Sequence, residues 1–208
     1  MKKTIGIFIH NPQCETGCAL GMITGFIDEF NIRTFGLDEF NYDFLSQLDV
    51  VAFPGGTGDA DEFYDIFDHT HIEALQDYVA NGGKYFGICM GAYWAGPHYF
   101  DVVDNLEIEQ YIAQPNADIT TEYSTEADVL WNNKPEVMYF YDGCAILGDK
   151  MRVIATYKNG NAMAAIQNNV GMIGCHPEAL ADWYLDSGFY NPIHAELMCE
   201  FVNDLIYG

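Results

Sequence analysis

Lys84-Tyr85-Phe86-Gly87-Ile88-Cys89-Met90-Gly91-Ala92-Tyr93 is the stretch on which the fold turns. It follows Asn81-Gly82-Gly83, a helix-ending cluster, and its first five residues read as a short buried strand. That strand runs straight into a cysteine with glycine two residues away on either side. A thiol placed where strand gives way to helix is the pattern of a nucleophile elbow. The tight turn lifts the side chain above the carboxyl edge of the sheet, and the glycines leave room for the bend. A helix N-terminus adds unpaired amides and the positive end of a dipole, both of which favour a thiolate. The Met90 amide would face the same space. Read alone, Cys89 is equally a small packed residue, as free cysteines usually are, so the flanking sequence has to decide.

Upstream, Thr4–Ile9 is a short apolar run ended by His10-Asn11-Pro12, and Cys18–Phe30 carries Leu20, Ile23, Ile27 and Phe30 at helical spacing. Ile32–Phe35 and Asp49–Phe53 read as a second and a third strand, the latter stopped by Pro54-Gly55-Gly56-Thr57-Gly58. Thr70-His71-Ile72-Glu73 has the form of a capping box, and Ile72, Leu75, Tyr78 and Val79 supply the stripe of the helix behind it. Strands alternating with helices close into a parallel sheet with right-handed crossovers, an α/β sandwich.

Downstream the vocabulary changes. Residues 101–135 show no clean period and are expected to be irregular with at most one strand. Glu136–Tyr141, Met151–Tyr157, Ala162–Gln167 and Val170–Cys175 are short strand-like runs separated by Asp142-Gly143, Gly148-Asp149 and Asn159-Gly160-Asn161, which are hairpin signals. Asn191-Pro192 then opens a final helix whose expected buried face is Ile193, Leu197, Phe201 and Leu205. With 208 residues, no internal repeat and no linker, 1–208 reads as a single domain. Half of the residues are hydrophobic, enough for a sizeable core.

Charge and cysteine usage bound the function. Eight Lys and Arg against 31 Asp and Glu give a net charge of −23, which repels phosphate backbones and anionic lipid, so neither nucleic acid nor membrane is an expected partner. Six unevenly spaced cysteines in a chain of this size fit a reducing, cytoplasmic compartment better than a disulfide framework. No run approaches the ~20 apolar residues of a spanning helix.

Two further segments bear on the chemistry. In Gly174-Cys175-His176-Pro177-Glu178, residues two apart in extended chain face the same way, so Glu178 can orient one nitrogen of His176 while the other faces out. If His176 reaches the sheet edge that carries Cys89, nucleophile, base and orienter are assembled for attack on a carbonyl and protonation of a leaving amine. Phe53-Pro54-Gly55-Gly56 opens at the same edge, where the Gly56 amide beside that of Met90 would complete an oxyanion hole. An ordinary histidine loop and an ordinary turn are the alternatives for each segment taken singly.

Together, Ala52-Phe53-Pro54-Gly55-Gly56, the whole of Tyr78–Tyr93, Tyr139-Phe140-Tyr141-Asp142-Gly143 and Gly174–Glu178 resemble the biotin–protein ligase N-terminal domain family, within the class I glutamine amidotransferase-like superfamily. The resemblance covers most of residues 4–185 and none of 101–135. It implies a flavodoxin-like three-layer α/β sandwich of the class I glutamine amidotransferase type, mainly parallel with antiparallel additions, and a Cys89, His176, Glu178 triad. Glutamine-hydrolysing members usually carry Gln four residues after the nucleophile. Here that position is Tyr93, which puts glutamine itself in doubt as the substrate.

His10, Cys14 and Cys18 at four-residue steps have donor types suited to zinc, but no fourth ligand accompanies them and Cys18 opens a helix. They read as packing residues, and no metal or other cofactor is expected. Cys14 is instead placed with Gly55 and Tyr93 along the substrate pocket, and His69 and His71 are expected on the surface at a helix cap. The expected function is a thiol hydrolase or amidotransferase acting on a small-molecule amide or related acyl bond, with a synthetase or acceptor as partner. The alternative is a binding or regulatory module that keeps the fold and pocket without turnover. A deglycase-like enzyme would place histidine directly after the elbow cysteine, where this chain has Met90.

Overall fold

A computed structural model describes residues 2–184 and 189–208. Met1 and residues 185–188 lie outside it, among them Leu185, the last residue of the stretch covered by the family resemblance. The elements run in the order β1 (Thr4–Phe8), α1 (Thr16–Phe26), β2 (Asn31–Phe35), α2 (Tyr42–Leu45), β3 (Val50–Phe53), α3 (Phe63–Ile66), α4 (His69–Ala80), β4 (Lys84–Ile88) and α5 (Met90–Tyr93). There follow β5 (Glu107–Gln110), β6 (Thr125–Trp131), β7 (Lys134–Phe140), β8 (Cys144–Leu147), β9 (Arg152–Tyr157), β10 (Ala162–Gln167), β11 (Val170–Ile173) and α6 (Ile193–Tyr207).

Among the described residues the strands form one sheet in the order β2-β1-β3-β4-β11-β10-β9-β6-β7, with β8 pairing β10 and β5 pairing β8. The first five of that order are mutually parallel, and every later pairing is antiparallel. Alternation along the parallel strands divides the core in two. Ile5, Ile7, Val50, Ala52, Phe86 and Ile88 pack against Met22 and Phe26 of α1 and Phe201 and Leu205 of α6. Phe8, Val51, Phe53 and Tyr85 face the other way, onto Leu45, Phe63, Leu75 and Tyr78 of α2, α3 and α4. Helices on both faces of the parallel half of the sheet make the three layers. Among the described residues no helix is long and apolar enough to cross a membrane.

Four local expectations are corrected. The α1 stripe is misplaced, because Leu20 and Ile27 are exposed and the helix buries Cys18, Ala19, Gly21, Met22 and Phe26. The cap of α4 is Asp68, whose carboxylate accepts from the amides of Thr70 and His71, and His71 is half-buried against the Phe40 ring rather than free on the surface. In α6 Ile193 is exposed and His194, Met198 and Val202 join Phe201 and Leu205 inside. Residues 101–135 hold β6 and β5, more order than their composition suggests.

Candidate active site

The carboxyl ends of β3, β4 and β11 lie side by side at the centre of the sheet, and each delivers one part of the site. The β4–β11 ladder continues to the elbow itself, where the Cys89 amide donates to Ile173 O at 2.8 Å. Cys89 has φ 50°, a left-handed conformation that a non-glycine residue adopts only when its surroundings hold it there. The holding contact is close: a methyl on Gly91 would lie 2.1 Å from Phe53 O. α5 follows at once, and Cys89 Sγ donates to Tyr141 O at 3.4 Å.

His176 is fixed from three directions. Its amide donates to Tyr139 O at 2.9 Å, and its Nδ1 donates to Glu178 Oε1 at 2.8 Å. The rings of Tyr139 and Trp183 stand edge-on to it at 5.8 and 5.9 Å. Both His176 and Glu178 are 2% exposed. The imidazole and the thiol meet across Gly55, where an added methyl would lie 2.6 Å from His176 Cε1 and 3.2 Å from Cys89 Cβ. Among the described residues His176 Nε2 has no hydrogen-bond partner. Burial alone would favour a neutral ring, but the Glu178 carboxylate and the Cys89 sulfur outweigh it and hold the imidazole well above its ordinary pKa.

Cys89 and Met90 line a cleft of about 450 Å³ with Gly56, Gly58, Tyr93 and Tyr141. Among the described residues the amides of Gly56 and Met90 donate to no other protein group. Tyr93 donates its hydroxyl to Asp142 O at 3.2 Å, and burial pushes its pKa far up, so it is a neutral wall. Cys14 is the misplaced residue of the set. It is fully buried, its thiol donates to Pro54 O at 3.3 Å, and burial raises its pKa. The 10–14 turn folds its side chain inwards, with His10 and Cys14 exchanging backbone hydrogen bonds. Among the described residues His10 and Cys14 join no cluster of metal donors.

The cysteine that does reach the site is Cys18, one turn further on. It lines a second cleft of about 240 Å³ with Glu15, Tyr139, Tyr141, His176 and Trp183. Sequence reasoning also missed the acidic side of the first cleft, formed by Asp59, Glu122 and Asp142. Asp142 is raised by burial, eased by its bond to Gln110 Nε2 at 2.6 Å and raised again by Glu122 and Asp59. Its neighbour Tyr141 sits in the quoted Tyr139–Gly143 segment, which was the available signal.

Comparison with known proteins agrees with this architecture. The chain has the fold of the class I glutamine amidotransferase-like proteins. A glutamine amidotransferase from Thermotoga maritima superposes with a TM-score of 0.69 at 11% identity, over 100% of both chains. A chain of PurLQS from Thermotoga maritima gives 0.66 at 14%, over 99% of this chain and 100% of that one. A Thermoplasma acidophilum protein described as one chain of a GMP synthase gives 0.66 at 13%, over 99% and 95%. Within that class, residues 42–112 match the family described as biotin-protein ligase, N terminal. That segment includes the Pro-Gly-Gly loop and the elbow but not His176. No curated protein matches the chain.

Proposed function

We propose that this protein is a thiol hydrolase or amidotransferase acting on an amide or related acyl bond, with Cys89 as nucleophile. The observation that carries the reading is the left-handed Cys89 on its elbow, across Gly55 from a buried imidazole whose Nδ1 is held by Glu178 and whose Nε2 has no partner. The raised His176 pKa supports an imidazole able to take up and hold the Cys89 proton as the sulfur attacks.

Sγ bonds to the carbonyl carbon, and the carbonyl electrons move to oxygen, where the Gly56 and Met90 amides are free to receive them. As the C–N bond breaks, His176 gives its proton to the departing nitrogen. A water then attacks the thioester carbon and gives one proton to His176, the C–S bond breaks with its electrons returning to Cys89 Sγ, and the acid product ionises and leaves as a carboxylate. Glu178 is a positioning residue that acts through the imidazole. Tyr93 stands where glutamine users present an amide, and a phenol cannot reproduce an amide's donor and acceptor pair. The substrate is therefore an amide other than free glutamine. The GMP synthase chain that shares this fold supports a synthetase or acceptor partner.

Iodoacetamide labelling of each cysteine tests the nucleophile. Burial raises the pKa of the other five, with Cys199 pushed up to about 12. Cys89 should label fastest, and His176→Ala should slow it at least tenfold. Cys89 labelling no faster than Cys144, and unmoved by His176→Ala, would replace the enzyme with a binding module of the same fold. In a parallel assay the wild type should release no ammonia from free glutamine; robust release would refute the role given to Tyr93.

A further inference from the structure

The proposed triad gives His176 Nε2 a role but leaves Glu178 Oε2 without one. That oxygen belongs to a carboxylate that is 2% exposed, and among the described residues it has no hydrogen-bond partner. A buried carboxylate oxygen left bare is costly unless a proton, donor or cation meets it. Beside it stands a third donor with no part in the mechanism above. Cys18 Sγ, a nitrogen of His176 and a carboxylate oxygen of Glu178 all lie within 4.8 Å of one another, and all three residues are buried. Among the described residues the sole hydrogen bond of the Cys18 thiol is a long one, 3.8 Å to Glu15 Oε1. The second cleft opens onto Cys18 and His176 past the Glu15 carboxylate, and the whole chain carries a charge of −23, so a cation is drawn towards this opening.

We propose that Cys18, His176 and Glu178 bind a soft divalent cation of the zinc class, and that this cation switches the thiol site off. One thiolate, one imidazole and one carboxylate with a fourth position left open is a donor set that zinc accepts and that calcium and magnesium do not. Donors around tetrahedral zinc stand about 3.5 Å apart given metal–ligand bonds of 2.0–2.3 Å. Small side-chain rotations therefore close the observed spacing. On binding, Cys18 gives its proton to solvent and its sulfur bonds the cation, while the imidazole and carboxylate exchange their mutual hydrogen bond for metal bonds. The ring that should hold and return the proton of Cys89 is then a ligand. Inhibition follows from sharing His176 and Glu178 between two uses, and in that respect the proposal rests on the catalytic reading. The binding itself does not.

The experiment uses the reduced full-length protein and Co²⁺ as a spectroscopic stand-in for Zn²⁺. One equivalent of Co²⁺ should give the intense visible absorption of a tetrahedral centre together with a sulfur-to-cobalt charge-transfer band, and Zn²⁺ should bleach both. Cys18→Ala and Cys18→Ser, checked for folding by circular dichroism, should lose the charge-transfer band, whereas Cys89→Ala should keep it. Zn²⁺ should slow Cys89 labelling at least tenfold in the wild type and less than twofold in Cys18→Ala. Absence of a tetrahedral spectrum, or a charge-transfer band that survives in Cys18→Ala and vanishes in Cys89→Ala, would overturn the proposal. If the cobalt results hold while Cys89 proves unreactive even without metal, the catalytic reading alone has failed.

Discussion

The parallel half of the sheet and the antiparallel half contribute different things to one cleft. β3, β4 and β11 deliver the backbone amides, the thiol and the imidazole, all within a few residues of strand ends. The antiparallel half delivers the walls: Gln110 at the end of β5, Tyr139 in β7, and Tyr141 and Asp142 in the turn before β8. Chemistry that needs fixed geometry is thus carried by the part of the fold with the least freedom to vary. Further walls are carried by strands joined through hairpins, alongside Tyr93 on α5 and Asp59 after β3. Even the boundary is shared, since the Cys89 thiol is held by Tyr141 O and the His176 amide by Tyr139 O.

The sharpest way to break this contrast is to disturb the elbow. Gly91→Ala places a methyl 2.1 Å from Phe53 O, a backbone atom of a central strand that cannot swing aside. Overpacking of this kind should cost about 3 kcal/mol or more by urea denaturation. A loss below about 1 kcal/mol would mean that the elbow is looser than its geometry, and the division between a rigid and a variable half would lose its basis.

The two halves also differ in how far the sequence betrays them. The strand at 84–88 and its elbow are legible because every signal is local: an apolar run, two glycines, a thiol. Residues 125–140 are harder to read because β6 pairs with β7 and with the distant β9, so its partners are not in view along the chain. A local signal did exist there. Asn132 and Asn133 both have positive φ, 47° and 63°, and make the two-residue hairpin between Trp131 and Lys134. Helix α1 defeats a hydrophobic reading for another reason, because its packed face is partly glycine. Gly21 lies against the backbone of Glu178 and Gly25 against Met198, so close approach takes the place of apolar bulk. The same approach brings Cys18 to the His176–Glu178 pair, which spacing among His10, Cys14 and Cys18 could not reveal.

A smaller effect should come from the charge at the seam. Glu178→Gln keeps the shape of the His176 partner and removes its charge, at about 2 kcal/mol, the range for a hydrogen bond to an ionised group. The loss should depend on pH. The His176 pKa is raised above its unfolded value of about 6.5, so the stabilisation is full below that pH and fades as pH rises through the folded-state value. Melting temperatures of wild type and variant should therefore differ most near pH 6 and converge at alkaline pH. A gap that widens with pH would mean that the imidazole is neutral in the resting protein, and the proton for the leaving nitrogen would need another source.

The smallest effect should come from the antiparallel half, at a residue that ties it to the site without touching the cleft. Tyr157 is buried on β9, stacks on Tyr111 at 3.7 Å and donates its hydroxyl to Cys144 O at 2.8 Å. The same hydroxyl sits against Gly174, two residues before His176. Tyr157→Phe keeps the ring and its stacking and removes the bond to Cys144 O together with a long one, 3.8 Å, accepted from Cys175 Sγ, so it should cost about 1 kcal/mol, most of it from the first. If the parallel half holds the chemistry by itself, Cys89 labelling in this variant should stay within twofold of wild type. A larger drop at that modest stability loss would show that Gly174 passes strain to His176. The antiparallel half would then set the position of the imidazole as well as the walls around it.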